Sequence, residues 1–138
     1  MVQLGLVVAQ YDKHGEVIGE MERGAREAAA AHEADIVDTV AVPGSYDTPL
    51  AADRLARRED VDAVAVLGTI ITGDTAHDRV IADAAASGLT DVSLDRDTPV
   101  TLGITGPDMT AAEARDRVDY GRRAVESAIR LVEDSTHA

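Results

Sequence analysis

The sequence predicts an α/β fold, a three-layer α-β-α sandwich around a four-stranded parallel sheet. Two observations predict it. Short runs rich in Val, Leu and Ile alternate with longer segments whose apolar residues recur at helical spacing. The clearest run, residues 63–67, is continuously apolar, as a strand covered on both faces has to be. Alternation of this kind implies right-handed crossovers with helices on both sides of the sheet.

The elements follow in order. Residues 4–9 form an apolar run too short for a helix and read as the first strand. Residues 16–33 are helical, with Val17, Met21, Ala25, Ala28 and Ala29 on one face. A second strand, residues 36–42, is stopped by Pro43 and Gly44. Residues 49–58 read as a helix, with Pro49 accommodated in its first turn. After the third strand a long helix starts near residue 75. It places Ile81, Ala84, Ala85, Gly88 and Val92 on one face and ends at Thr98 and Pro99. The fourth strand is 100–104. Gly106 and Pro107 then turn the chain into a helical stretch, 110–132, with a break near residues 119–121. With no linker or repeat, the chain reads as one domain over residues 1–138.

Composition narrows the function. There is no Trp and no Phe, so the core is built from Ala, Val, Ile and Leu. Asp and Glu number 26 against 13 Lys and Arg, a net charge of −13, and Lys13 is the only lysine. The acids are scattered rather than blocked, which predicts an acidic surface on a folded domain rather than a disordered tail. With lysine so scarce, this reads as adaptation to a high-salt cytoplasm, where self-repulsion is screened. No basic patch serves a nucleic-acid partner. The absence of cysteine excludes disulfides, thiol nucleophiles and Cys-based zinc sites. No apolar run approaches the ~20 residues of a membrane span. The chain opens on a strand pattern without a charged leader region, so the expected location is the cytoplasm.

Ligands of parallel sheets bind beyond the carboxyl ends of the strands. Four segments fall there: residues 10–14, 43–48, 69–77 and the turn after Ile104. In the third, GTIITGDTAH (68–77), a glycine turn precedes a helix start, whose free N–H groups and dipole suit a phosphate. A plain helix cap, with Thr75 and Asp78 as a capping box, explains the same residues. The segment lacks the Gly-Lys-Ser/Thr of a Walker loop and the Rossmann glycine fingerprint. His77 falls in the first turn of that helix, beside any anion held there, where a histidine can move protons near neutral pH. His14, His32 and His137 read as surface residues. No second histidine lies at metal-ligand spacing from His77, so no metal is expected. In the second segment Ser45, Tyr46 and Asp47 offer donors and acceptors for a polyhydroxylated ligand, or simply a strand-to-helix turn capped by Asp47 or Thr48. Tyr11 could stack on a planar heterocycle or merely anchor its loop. Arg115 and Arg117 are cations available to a phosphate.

These pieces occur together in one family. VPGSYDTP (42–49), LGTIITGDTAHD (67–78), PVTLGI (99–104), GPDMT (106–110) and RVDYGRRAVE (117–126) resemble lumazine synthases, specifically the archaeal branch, with consistent spacing over nearly the whole chain. The resemblance implies a flavodoxin-like sheet and a cofactor-free condensation. A ribitylaminouracil would react with 3,4-dihydroxy-2-butanone 4-phosphate in the penultimate step of riboflavin biosynthesis. It implies that Tyr11, where the family commonly has Phe, stacks on the uracil ring. Ser45, Tyr46 and Asp47 would hold the ribityl chain and ring edge, Asp47 standing where many members have Glu. The backbone of Thr69, Ile70 and Ile71 would read the pyrimidine. Asp74 and Thr75 would cradle the phosphate, and His77 matches the proton-transfer histidine. From a neighbouring subunit, Leu102 (Phe in many members) would flank the ring and Arg117 would bind phosphate. Arg117 is preferred over Arg115 because its surroundings match the archaeal pattern. Asp12 stands where Asn is frequent, and Tyr120 where a lysine is frequent in a segment shorter than in many bacterial members. The family forms pentamers, some of which build icosahedral shells, and riboflavin synthase is the partner protein the resemblance brings into view. Two other readings compete. One is the archaeal riboflavin synthase, a paralogue whose reaction handles no phosphate. The other is a non-catalytic flavin- or lumazine-binding or shell protein.

Overall fold

The computed structural model describes residues 1–10, 16–71 and 77–135. The strands are β1 (Gln3–Ala9), β2 (Asp35–Val42), β3 (Ala63–Thr69) and β4 (Val100–Thr105). The helices are α1 (Glu16–Ala31), α2 (Thr48–Ala56), α3 (His77–Arg96), α4 (Ala111–Asp116) and α5 (Tyr120–Ser135). A 3-10 turn, Ser45–Asp47, leads into α2. The sheet runs β2-β1-β3-β4 and every pairing is parallel.

The pleat sorts side chains into two cores. Leu4, Leu6 and Val8 of β1, with Ala63, Ala65 and Leu67 of β3, face α1 and α5. Val7 and Ala9, with Val64 and Val66, face α2 and α3. All seven residues of β3 are buried, as its continuous apolar run predicts for a central strand. Burying one Leu or Val fully contributes roughly 1.5–3 kcal/mol. Many small contacts therefore do here what a few aromatic anchors do elsewhere. β2 is an edge strand and most of it is only half-buried.

The expected elements are present, with differences at their ends. α1 stops at Ala31, not at residue 33: Glu33 adopts φ 57°, and the N–H of Ala34 reaches back to the Ala29 carbonyl at 2.8 Å. Asp97 closes α3 in the same left-handed way, at φ 49°. At Glu33 an acidic residue holds a position where glycine is usual, so the sequence carries no stop signal there, whereas Thr98 and Pro99 mark the end of α3. On α3, Ala85 and Val92 are buried and Ile81 half-buried, but Ala84 is exposed and Leu89 takes the core position. The last helical stretch breaks after Asp116, slightly earlier than the sequence suggests: Thr110 and Glu113 form a capping box that starts the short α4, and Arg117 leaves helical geometry at its end. No described helix is long and apolar enough to cross a membrane.

Ion pairs tie the outer layer together. Arg96 of α3 holds Asp53 of α2 at 2.8 Å, and this guanidinium keeps the Asp53 carboxyl below its ordinary range. Arg58 bridges Asp38 at 2.6 Å and Asp60 at 2.8 Å, joining the end of α2 to the edge strand, and lowers the Asp60 carboxyl as well. These pairs are solvent-exposed, so each contributes little.

Candidate functional site

Because all four strands are parallel, their carboxyl ends share one rim. Two pieces of that rim are built with care. The first is the turn after β2. The Asp47 carboxylate accepts the Gly44 N–H at 3.0 Å, and the Thr48 hydroxyl, fully buried, donates to the Ser45 carbonyl at 2.7 Å. This closure turns Ser45 inward, where it is buried, and leaves Tyr46 61 % exposed at the rim. Asp47 therefore shapes the turn as well as presenting a carboxylate.

The second piece is the end of β3. The Thr105 hydroxyl donates to that of Thr69 at 3.1 Å, both buried, and the Ile70 N–H donates to the Thr105 carbonyl at 2.8 Å. Gly106 follows with φ 95°, and a Cβ there would run into the Ile70 carbonyl. The end of β4 thus clamps the Thr69–Ile71 backbone from behind.

Between these pieces and the start of α3 lies a cavity of about 400 Å³. Ser45, Tyr46 and Asp47 line it together with Thr69, Ile70, Ile71 and His77. Seven residues selected from sequence thus share one pocket at the strand ends, the expected ligand position of a parallel α/β fold. The sequence reading had not placed Pro43, Gly44, Asp78 and Ile81 in the site, yet they complete its lining. Ile81 lies one helical turn beyond His77, a spacing that carries the signal. Tyr11, Asp74 and Thr75 lie outside the described residues.

Three selected residues are elsewhere in the chain. Leu102 sits on edge strand β4, 52 % exposed. Arg117 follows α4, donates to the buried Met109 sulfur at 3.5 Å and approaches Glu113 at 3.6 Å. Arg115 lines a separate groove of about 570 Å³ with Arg23, Glu16 and Glu20 on the α1 side of the sheet. His32 is at the surface, 3.7 Å from Glu126. Among the described residues, no group of three or more His, Asp or Glu is arranged to hold a metal ion.

A parallel α/β sheet with a pocket and a histidine at its strand ends has the arrangement in which open α/β folds bind small ligands. The chain matches the 6,7-dimethyl-8-ribityllumazine synthase family over residues 1–135, and it belongs to that family. Among its relatives, the 6,7-dimethyl-8-ribityllumazine synthase of Halobacterium salinarum is 63% identical over 97% of this chain and 99% of that protein. The enzyme of the same name from Halorubrum lacusprofundi is 62% identical over 97% and 98%. That of Methanococcus aeolicus is 47% identical over 96% of each.

Proposed function

We propose that this chain condenses 5-amino-6-(D-ribitylamino)uracil with 3,4-dihydroxy-2-butanone 4-phosphate to give 6,7-dimethyl-8-ribityllumazine, phosphate and two waters. The observation that carries the reading is the shared pocket. The Ser45–Asp47 turn, the Thr69–Ile71 segment and His77 meet in one cavity, in a chain matched to the family over residues 1–135.

The chemistry asks little of the protein. The uracil's own amine attacks the ketone, water leaves to form an imine, phosphate is eliminated, and the ring closes with loss of a second water. A substrate that brings its own nucleophile needs no cysteine or activated serine. Holding the two reactants together and moving protons supply the acceleration. In this reading the turn holds the ribityl chain and ring edge, and the Thr69–Ile71 backbone reads the pyrimidine edge. Tyr11 stacks on the ring, Asp74 and Thr75 cradle the phosphate, and His77 transfers protons. Leu102 and Arg117, both outside the pocket of their own chain, come from a neighbouring copy in a pentamer. The exposure of Leu102 on an edge strand supports that arrangement. The protein acts as one domain in a salt-rich cytoplasm, consistent with its charge of −13 and its haloarchaeal relatives.

The test is direct. Purified protein in molar KCl is mixed with both substrates, and lumazine is followed by absorbance and fluorescence. Product formation well above the uncatalysed background is expected. No acceleration by folded, assembled protein would overturn the reading and favour lumazine dismutation or passive flavin binding, which a riboflavin-formation assay and a flavin titration then separate.

A further inference from the structure

The turn that carries Ser45, Tyr46 and Asp47 is seated between two close approaches, each made possible by a missing side chain. The first is on β3. A Cβ at Gly68 would lie 2.8 Å from the Ser45 hydroxyl oxygen, 3.2 Å from Ile104 Cγ1 and 3.3 Å from Ala9 Cβ. Strands flank that position on both sides, so β3 has no room to retreat. The soft neighbour is the Ser45 side chain, itself only 6 % exposed. An added methyl is therefore accommodated by displacing the hydroxyl of Ser45, a residue that lines the pocket.

The second approach is on α3. A Cβ at Gly88 would lie 2.8 Å from Pro49 Cγ and 3.1 Å from Pro49 Cβ. Pro49 is the second residue of α2, which starts directly after the turn, and its ring is fused to the backbone, so it cannot rotate aside. Gly88 follows His77 by eleven residues, about three helical turns, which puts both on one stripe of α3 some 16 Å apart. Ile81, which lines the pocket, lies on the same stripe. The Gly88–Pro49 contact thus fixes how closely the helix bearing His77 approaches the turn. Neither glycine needs a left-handed backbone. Gly88 also sits inside a helix of 20 residues, where alanine would be favoured on propensity alone. Close approach is what glycine provides at both positions.

We propose that Gly68 and Gly88 are positioning residues: Gly68 sets the Ser45 hydroxyl within the pocket, and Gly88 sets the distance between the turn and His77. This rests on the reading that the turn holds the ribitylaminouracil. It assigns two residues outside the pocket lining distinct kinetic roles.

The experiment is a pair of double-mutant cycles on the full-length assembled protein, with steady-state kinetics varied in each substrate. Gly68→Ala should raise KM for the ribitylaminouracil about tenfold while leaving KM for the butanone phosphate within twofold. In a Ser45→Ala background it should add almost nothing, because the displaced atom is gone. Gly88→Ala should lower kcat about tenfold, and Pro49→Ala, which removes the nearer opposing carbon, Cγ, and frees the remaining Cβ from the ring, should restore a large part of it. Equal rises in both KM values with Gly68→Ala, or simple additivity in both cycles, overturns the proposal. If Gly68→Ala fails to assemble, the Gly88–Pro49 cycle decides alone. A wild-type protein that makes no lumazine would instead overturn the functional reading, so the two failures are distinguishable.

Discussion

The turn after β2 and the end of β3 face each other across one cavity, while Leu102 and Arg117 lie outside it, on the β4 edge and at the end of α4. The first pair is braced by hydrogen bonds from buried hydroxyls, Thr48 to the Ser45 carbonyl and Thr105 to Thr69. The second pair is held differently: Leu102 shows half its surface, and the Arg117 guanidinium makes a sulfur contact and a long ion pair. The difference teaches that one chain braces the elements around its own cavity and presents Leu102 and Arg117 away from it. In the proposed pentamer, head-to-tail contacts would bring the two together.

This contrast can be broken at either half. The largest effect is expected at His77. His77→Ala should slow turnover about a hundredfold by removing proton transfer, with folding and assembly intact by circular dichroism and sedimentation. Unchanged turnover would remove His77 from the mechanism. Arg117→Ala should raise KM for the butanone phosphate roughly 10- to 100-fold, the worth of a charge-assisted hydrogen bond, and leave KM for the uracil alone. A rise in the uracil KM instead would assign Arg117 to the other half-site.

Gly106→Ala tests the bracing itself. The left-handed backbone and the Ile70 carbonyl both oppose a Cβ, so denaturant unfolding should show a loss of about 1–3 kcal/mol. The smallest effect is expected far from the site, at Asp53→Asn, which should cost under about 1 kcal/mol at neutral pH. Its sign follows from the lowered Asp53 carboxyl. That stabilisation is present above about pH 4, where the unfolded carboxyl is ionised. It fades as pH falls through the depressed folded value. Melting curves of the two proteins should therefore converge in acid, and molar salt should narrow the gap at pH 7.

Much of the fold was legible because period and composition act locally. The apolar runs at β1 and β3, and the stripe Val17, Met21, Ala25, Ala28 and Ala29, are buried as their spacing requires. Helix ends were unevenly legible: Thr98 and Pro99 mark the end of α3, but Glu33 adopts a left-handed turn imposed by the chain's return to the sheet, not by its own preference. On α3, Ala84 and Leu89 exchange roles because nearby positions of an alanine-rich stripe differ little in hydrophobicity, so packing against α2 decides. In the site, Ser45, Thr69 and His77 could be found because motif and strand-end position coincide. Pro43, Gly44, Asp78 and Ile81 looked like turn, cap and core residues, and only the cavity reveals their second use. Gly68 and Gly88 carry no chemistry at all, so their part emerges only from distances. Which residues a neighbouring copy would supply is a property of the assembly, and a single chain's periodicity does not encode it.

The central claim, that each working site joins His77 of one copy to Arg117 of the next, has a decisive test in subunit mixing. His77→Ala and Arg117→Ala proteins, each poorly active alone, are dissociated together and reassembled. Random mixing gives both intact residues to about one quarter of the interfaces in a closed ring. Activity should therefore rise to about a quarter of the wild-type value, and only after dissociation. Activity that stays at the level of the separate variants would contradict the account and confine each site to a single chain.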